Sequence, residues 1–367
     1  MNDHVQAAMA EATRLTREGR LTEAAALIQR TLGGMSAPIA RFTSAGVPND
    51  VEVRVVEATP TLPEPTIQEE TEASPSSQQG GKFIDGTYSN TAGTRTYKLY
   101  IPGNYTGQAV PLVIMLHGCT QNAVDFAAGT RMNIFADVKT FLVAYPEQVS
   151  SANNSKCWNW FQHADQQRGM GEPSLISGIT RQIMNSYHVD INRVYVAGMS
   201  AGGAMAVIMA VTYPDLYAAV GVHSGLAYCA ASDVRTGFQA MRRGPSQPMQ
   251  QLNTVIPLIS FHCDHDTTVS PVNADHLINQ WLQATNFEQD GSAHSTKVER
   301  HQADVGQAYT RSIYHNAGGK VIVEKWLVHR AGHAWSGGSP DGSFADPKGP
   351  DASSEILRFF AEHSRER

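Results

Sequence analysis

A serine stands among small residues in the stretch RVYVAGMSAGGAM, which covers residues 193–205. Gly198 and Gly202 flank Ser200 at the −2 and +2 positions, which gives the pattern G-x-S-x-G. An apolar run precedes the pattern, and a helix-compatible run follows it over about 201–213. This order predicts a nucleophile elbow, in which a sharp turn lifts the serine Oγ clear of the backbone. The alternative is an ordinary glycine-rich strand–helix turn with a capping serine.

A serine nucleophile needs a base, and the base needs an orienting acid. In folds with an elbow, the chain order is Ser, then Asp or Glu, then His. After Ser200, the segment ISFHCDHDTTVSP ends an apolar strand with Asp264 and Asp266, and both remain candidates from position alone. The segment WLVHRAGHAWSGG ends a later strand with His329 and His333. His333 lies in a glycine-rich loop that suits a mobile imidazole, whereas His329 is predicted to be a packed strand histidine.

Acyl transfer also needs donors for the oxyanion, and two places in the sequence could supply backbone N–H groups. The first N–H groups of the helix after Ser200 point toward the serine. The segment LVIMLHGCTQNAVDF places His117, Gly118 and Cys119 directly after an apolar strand, and Gly118 permits a close turn. The N–H of Cys119 is therefore the second candidate, and it remains available even where His117 and Cys119 simply pack at the strand end.

The elements that must position these residues begin at about Lys82. Short continuous apolar runs (PLVIMLHG, FLVAYP, RVYVAG, AAVGVHSG and VIPLISFH) alternate mostly with helix-compatible segments. This alternation predicts an α/β fold with a mainly parallel central sheet and helices on both faces. RTYKLYIP indicates an antiparallel strand, YTRSIYHNAGGKVIVEKWLVH indicates two strands around a turn, and DASSEILRFFAEHS indicates a closing helix.

The first 81 residues differ in character from the rest of the 367-residue chain. Residues 1–33 show apolar side chains at helical spacing on both sides of Gly19, which predicts a helical hairpin. Residues 34–81 are rich in Pro, Glu, Ser, Thr and Gln, and they predict a disordered acidic linker. The catalytic domain is therefore assigned to residues 82–367.

Composition narrows the classes of function. The formal net charge of −6 gives no reason to expect a nucleic-acid partner. Four cysteines without a CxxC pair oppose a zinc or thioredoxin-type motif. The N-terminal stretch lacks the features of a secretory signal, and no apolar run approaches a membrane span. These features predict a cytoplasmic protein without a transmembrane segment, or a secreted one if the numbering is that of a processed chain.

Seven segments of the sequence together resemble the polyhydroxybutyrate depolymerase-type esterases, which are related to feruloyl and acetylxylan esterases of the α/β-hydrolase superfamily. They are MLHGCTQ, YPEQ, CWNWF, GEPSLI, VYVAGMSAGGAM, HCDHDTTVSPVNA and GHAWSGG, and they follow the family's order over about residues 83–362. The resemblance implies Ser200 as nucleophile, Asp266 rather than Asp264 as acid, and His333 as base. It also implies oxyanion donors at the N–H groups of Cys119 and Ala201.

The resemblance further implies aromatic residues in the ester-binding cleft. Trp158 and Trp160 of CWNWF, Trp335 beside the predicted base, and His117 are the expected substrate-contacting residues, with core packing as the alternative for each tryptophan. The family often has Gly after the His of HCDHD, where this chain has Cys263. That departure puts the local packing around Cys263 in doubt.

Disulfide pairing is also an expectation from the resemblance. It implies a bridge between Cys119 and Cys157, which would fix the tryptophan-containing loop beside the oxyanion donors. A second pair, Cys229 with Cys263, is a further expectation. The alternative is four free, buried thiols, as in a reducing cytoplasm.

The function that the resemblance implies is serine ester hydrolysis through an acyl-enzyme, with no metal or organic cofactor. The substrate expected first is a short-chain polyhydroxyalkanoate or its oligomers, and feruloyl or acetylxylan esters are the alternative. A protein of another class, a granule-binding protein with an inactive hydrolase domain, is opposed by the complete set of Ser, Asp and His. The predicted hairpin could serve adsorption to a polymer granule, homodimer formation or docking on the catalytic domain.

Overall fold

The computed structural model describes residues 80–253, 255–284, 296–301, 306–316 and 318–365, together with the backbone of Val53–Val55. The hairpin predicted for residues 1–33 lies outside the described residues, as does most of the predicted linker. Val53–Val55 differs from the prediction of a disordered linker, because these residues form a short strand that pairs in parallel with residues 298–300.

Eleven strands form one sheet among the described residues. They are β1 (Val53–Val55), β2 (Lys82–Asn90), β3 (Gly93–Ile101), β4 (Val110–Leu116), β5 (Leu142–Pro146), β6 (Val189–Met199), β7 (Ala219–His223), β8 (Leu258–Cys263), β9 (Thr296–His301), β10 (Tyr309–His315) and β11 (Val321–Val328). Their order across the sheet is β1-β9-β10-β11-β8-β7-β6-β4-β5-β3-β2. A separate ribbon pairs β12 (Trp335–Ser336) with β13 (Ala345–Asp346) in parallel.

The centre of the sheet is parallel, from β5 through β4, β6, β7 and β8 to β11. Antiparallel pairs flank this centre, with β2 and β3 on one side and β9 and β10 on the other. Both predicted strands of the late hairpin are present as β10 and β11. The carboxyl ends of parallel strands meet at one edge, where α/β sheets place their ligands.

Helices cover the sheet and explain its continuous apolar strands. They are α1 (Ala123–Thr130), α2 (Met132–Lys139), α3 (Gly171–Ser186), α4 (Ala201–Thr212), α5 (Val234–Arg243), α6 (Val272–Ala284) and α7 (Ala352–Ala361). Every residue of β7 and β8 is buried, because side chains on both faces of these strands meet other elements.

Alternate residues of β4 enter two different parts of the core. Leu112 and Ile114 belong to one hydrophobic cluster, and Val113 and Met115 belong to the other. Since neighbouring side chains of a strand point to opposite faces, the two clusters lie on the two faces of the sheet. The predicted mainly parallel sheet with helices on both faces is confirmed.

Candidate functional site

Ser200 occupies the turn between β6 and α4 in a backbone conformation that few residues adopt. Its φ is 57° and its ψ is −121°, and its N–H donates to the carbonyl of His223 at 2.9 Å. A Cβ on Gly198 would lie 2.3 Å from the carbonyl oxygen of Gly202, and one on Gly202 would lie 2.0 Å from the carbonyl oxygen of Leu116. Both flanking glycines are therefore required for so close a turn, as the elbow pattern predicts.

Asp266 and His333, which are 67 positions apart in the chain, meet through a hydrogen bond. Nδ1 of His333 lies 2.7 Å from Oδ2 of Asp266. The other carboxylate oxygen of Asp266 accepts the N–H groups of Thr268 at 2.9 Å and Val269 at 2.8 Å. These contacts fix the carboxylate, and the carboxylate in turn orients the imidazole.

The environment of Asp266 keeps its carboxyl group ionised. Burial alone would raise the pKa of Asp266, but the hydrogen bond and charge of His333, the nearby His262 and the N–H of Val269 lower it below its ordinary value. An ionised acid is the form that stabilises a developing imidazolium.

Two further histidines surround this pair, and sequence reasoning did not assign them to the site. Nε2 of His262 lies 2.9 Å from the carbonyl of Val269 and 3.6 Å from Oδ2 of Asp266. His223 stacks between Phe261 and Trp335. The only available signal was position, since both histidines lie at or near the carboxyl ends of central strands.

Burial sets the protonation state of both histidines. It lowers the pKa of His262, although the hydrogen bond to Val269 opposes this shift. Burial, then the nearby His262 and His333, lower the pKa of His223 to about 3. Both rings are therefore neutral near neutral pH, which leaves the single charge of Asp266 to face His333.

Asp264 is hydrogen-bonded to a different histidine, His329. Its Oδ2 lies 2.9 Å from Nδ1 of His329, and its Oδ1 accepts the N–H of Arg330 at 2.6 Å. Nε2 of His329 lies 2.9 Å from Oγ1 of Thr310. The structure thus brings Asp266, and not Asp264, to His333. His329 is half-buried and hydrogen-bonded through both ring nitrogens, rather than packed within the strand as predicted.

The loop after β4 lies directly against the elbow. A Cβ on Gly118 would lie 3.5 Å from Cβ of Ser200, and the N–H of Gly118 donates to Oε1 of Gln121 at 2.9 Å. The N–H of Cys119 makes no hydrogen bond to protein in the described part of the chain. Ala201 is the first residue of α4, so its N–H has no acceptor within the helix.

A disulfide joins Cys119 to Cys157, as expected from the resemblance. The N–H of Thr120 also donates to the carbonyl of Ser155 at 2.7 Å, so the two loops are held together at adjacent positions. The expected second pair is wrong, because Cys229 and Cys263 are both free thiols. They belong to the hydrophobic clusters on opposite faces of the sheet, which keeps their sulfur atoms apart.

The predicted aromatic wall of the cleft needs correction, because all four residues lie in the interior. Trp158 has no exposed surface, and Trp160, Trp335 and His117 are 5%, 1% and 1% exposed. Nε1 of Trp335 donates to a serine hydroxyl at 3.0 Å, and the ring of His117 packs 5.7 Å from that of Trp158. Trp158, Trp335 and His117 therefore present almost no free face to a substrate, whereas Trp160 is nearly as exposed as Ser200, at 5% against 7%.

His117 organises the loop that follows β4 and carries Cys119, the predicted oxyanion donor (the oxyanion loop). Its Nδ1 lies 2.7 Å from the carbonyl of Gly118, and its Nε2 accepts the N–H of Gln148 at 3.1 Å. These roles require a neutral ring with the proton on Nδ1, and burial lowers the pKa of His117 accordingly. His117 therefore positions the backbone, in place of the substrate contact that the resemblance implied.

A buried acid, which sequence reasoning missed, ties down the CWNWF loop. The carboxylate of Glu172 accepts hydrogen bonds from Arg95 at 3.2 Å, from the N–H of Asn159 at 2.7 Å and from the side chain of Gln148. Burial, then the neighbouring Asp165, raise the pKa of Glu172 to about 7 against these hydrogen bonds. The disulfide and Glu172 thus hold the same loop at two points.

An exposed aromatic ring next to the Asp266–His333 pair was also missed. The ring of Phe344 lies 6.4 Å from that of His333, and 42% of the residue is exposed. The surrounding sequence, SPDGSFADPKG, is rich in turn-forming residues and gave no signal for a binding role.

Neither a metal site nor a membrane span is found within the described ranges. No three His, Cys, Asp or Glu residues there are grouped so that they could hold a metal ion. No helix there is long and apolar enough to cross a membrane.

The family model described as Esterase PHB depolymerase matches residues 95–304. The chain belongs to this family. The matched residues include Ser200 and Asp266, whereas His333 lies beyond them.

Two curated relatives are similar to about two thirds of this chain. Poly(3-hydroxyalkanoate) depolymerase C of Paucimonas lemoignei is 31% identical over an alignment of 246 residues, and the match covers 64% of this chain and 57% of that protein. Feruloyl esterase B of Neurospora crassa is 29% identical over an alignment of 253 residues, and the match covers 64% of this chain and 82% of that protein. The chain thus spans little more than half the length of the depolymerase that it matches.

The fold of this family member also matches a solved structure. The acetyl xylan esterase from Aspergillus awamori is 20% identical, with a TM-score of 0.58 over 73% of this chain and 94% of that chain. This likeness shows the fold and confirms the predicted α/β-hydrolase architecture.

Proposed function

We propose that the protein is a serine esterase that cleaves carboxylic esters through an acyl-enzyme. The observation that carries this proposal is the hydrogen bond of 2.7 Å between Asp266 and His333, at the sheet edge where Ser200 occupies its strained turn. Membership of the Esterase PHB depolymerase family supports the same reaction class.

In the proposed mechanism, His333 takes the proton of Ser200 while the serine oxygen attacks the ester carbonyl. Asp266 holds the imidazole in the useful tautomer and stabilises its positive charge. The N–H groups of Cys119 and Ala201 stabilise the oxyanion. His333 then passes the proton to the leaving alcohol, and water releases the acyl group by the reverse sequence of proton transfers.

The proposed substrate is a short-chain polyhydroxyalkanoate, such as polyhydroxybutyrate, or its oligomers. Support comes from the similarity to the depolymerase of Paucimonas lemoignei. Feruloyl or acetylxylan esters are the second candidate, because the chain covers 82% of the length of the Neurospora crassa feruloyl esterase.

The experiment that tests the reaction and ranks the substrates is a comparison of kcat/KM for amorphous polyhydroxybutyrate, its short oligomers and methyl ferulate. The Ser200→Ala variant, checked for retained fold by circular dichroism, is the control. We expect the oligomers to give the highest kcat/KM and the variant to be inactive. A wild-type protein that binds granules without hydrolysing any ester would instead establish the inactive, granule-binding alternative.

A granule surface and a second copy of the chain are the proposed partners of the N-terminal segment. The disulfide between Cys119 and Cys157 is typical of oxidising compartments, which opposes the predicted cytoplasmic location and favours secretion. Thiol titration of protein isolated under acid-quenched conditions tests the redox state, and sedimentation measures the oligomeric state.

A further inference from the structure

Phe344 is an exposed aromatic residue beside the proposed general base. The two rings meet edge to face, with 6.4 Å between centroids and an interplanar angle of 75°. Phe344 is 42% exposed, and what distinguishes it is its position beside His333. An apolar face next to the reacting groups is available to a substrate.

The backbone of Phe344 lies in a conformation that disfavours a phenylalanine. Its φ is 52°, in the left-handed region where glycine and asparagine are common and bulky side chains are rare. Such strain persists only where the surrounding structure imposes it, and it is frequent at ligand-binding sites. Packing alone does not explain the choice of residue here, because 42% of Phe344 is exposed.

The segment that carries Phe344 is fixed to the His333 loop. The carbonyl of Phe344 accepts the N–H of Trp335 at 2.6 Å, and β13 begins at the next residue and pairs with β12. The ring of Phe344 and the imidazole of His333 therefore belong to one hydrogen-bonded unit.

The same segment is also fixed to the oxyanion loop. Nε2 of Gln121 donates to the carbonyl of Ser343 at 3.0 Å, and Oε1 of Gln121 accepts the N–H of Gly118 at 2.9 Å. Oδ1 of Asp125 accepts the N–H of Ser343 at 2.8 Å. The side-chain amide of Gln121 thus connects the backbone before Phe344 to Gly118, which precedes the proposed oxyanion donor Cys119.

We propose that Phe344 forms the apolar wall of the subsite for the alcohol portion of the ester. This proposal rests on the proposed function, in which His333 delivers a proton to the leaving oxygen. That oxygen must come within hydrogen-bond distance of the imidazole, so the carbon chain attached to it lies within reach of a ring 6.4 Å away. The ring would favour esters whose alcohol portion continues as an apolar chain.

The test uses the full chain and two series of esters. The first series keeps the acetyl group and varies the alcohol from methyl to butyl and benzyl. The second keeps methanol as the alcohol and varies the acyl group from acetyl to hexanoyl. Phe344→Gly removes the ring and relieves the positive φ. Phe344→Ala is the second variant should the first fold poorly, and Phe344→Tyr retains the ring.

Ile191→Ala is the matched control, since Ile191 is 48% exposed and lies in β6 far from its carboxyl end.

We expect Phe344→Gly to lower the preference for butyl over methyl acetate, measured by kcat/KM, by roughly tenfold, from the lost burial of methylene groups. The ratio of methyl hexanoate to methyl acetate should change less than twofold. Deacylation of the common acetyl-enzyme should keep its rate. Phe344→Tyr and Ile191→Ala should behave as wild type in both series.

Two outcomes separate the proposal from the function on which it rests. If the wild type hydrolyses esters but Phe344→Gly and Phe344→Ala keep their alcohol preference, or lose acyl preference instead, the subsite assignment is wrong. An equal fall for every ester would indicate a merely structural role and would also overturn it. If the wild type hydrolyses none of the esters, the proposed function fails and the subsite fails with it.

Discussion

Oδ2 of Asp264 lies 2.9 Å from Nδ1 of His329, so this aspartate is held away from the histidine that faces Asp266. The two acids, two residues apart, therefore serve different loops.

We expect Asp266→Asn to lower kcat for a p-nitrophenyl short-chain ester by about 10⁴-fold, because the imidazole would lose its orientation and tautomer. Asp264→Asn should lower kcat less than about tenfold. Steady-state kinetics of both variants shows which aspartate orients His333. An inactive Asp264→Asn variant together with an active Asp266→Asn variant would reverse the assignment.

The sequence predicted the elbow well because its requirements are local. Glycines at 198 and 202 are needed by close backbone contacts within one turn, and the flanking strand and helix show their own periodicity. The choice between Asp264 and Asp266 was open from the residues alone, because both follow β8 and their partners are more than 60 positions away. Only the resemblance separated them.

The aromatic residues were predicted poorly for a related physical reason. A tryptophan carries the same signal in a sequence whether it lines a cleft or fills a core, and Trp158 and Trp335 are both in the core. Phe344 lies in a segment without periodicity. Its position depends on hydrogen bonds from Gln121, which is distant in the chain, and from Trp335, which lies in the His333 loop. Long-range contacts of this kind leave no pattern in the sequence.

The disulfide between Cys119 and Cys157 should stabilise the folded state and the oxyanion loop together. The bridge spans 38 positions, so the chain-entropy model gives about 3–4 kcal/mol of unfolding free energy. We expect the double variant Cys119→Ser, Cys157→Ser to lose about this amount in urea unfolding and to show a lower kcat. Cys229→Ser is the control, since that thiol is free, and it should match the wild type. An unchanged unfolding midpoint for the double variant would contradict the prediction.

Buried neutral histidines should make the protein sensitive to acid. Burial lowers the pKa values of His117, His223 and His262 in the folded state. In the unfolded chain each imidazole takes up a proton as the pH falls through about 6.5, so the unfolded state binds more protons below that pH. The unfolding free energy should therefore fall on acidification from about pH 6.5, by up to about 1.4 kcal/mol per pH unit for each histidine.

The variant His223→Gln tests this explanation through the slope of stability against pH. For His223 the window extends from about pH 6.5 down to the folded pKa of about 3. Between pH 6.5 and pH 4.5, the unfolding free energy measured with urea should depend less steeply on pH in the variant. The difference in slope should correspond to up to one bound proton, whatever the absolute stability of the variant. His265→Gln, in a residue exposed to solvent, is the control. An identical slope in His223→Gln and the wild type would show that His223 does not contribute.

Two truncations should separate the N-terminal segment from the catalytic domain. The chain divides into the units Met1–Asp50 and Val51–Arg367, and β1 belongs to the second unit, where it pairs with β9 at the edge of the sheet. Deletion of residues 1–50 should leave kcat/KM for a small soluble ester within about twofold of the full chain. Activity on insoluble polymer, or the oligomeric state, should fall if this segment serves a granule or a second copy.

Deletion of residues 1–80 removes β1 as well and should expose the edge of β9. Because unpaired strand edges promote association between chains, we expect this shorter protein to retain small-ester hydrolysis but to aggregate at lower concentration than the chain from residue 51. Light scattering at matched concentrations measures the difference. Loss of small-ester hydrolysis in both truncations would place part of residues 1–50 in the catalytic domain. Loss in the shorter one alone would show that β1 supports the fold of the late strands, and with them the loop that carries His333.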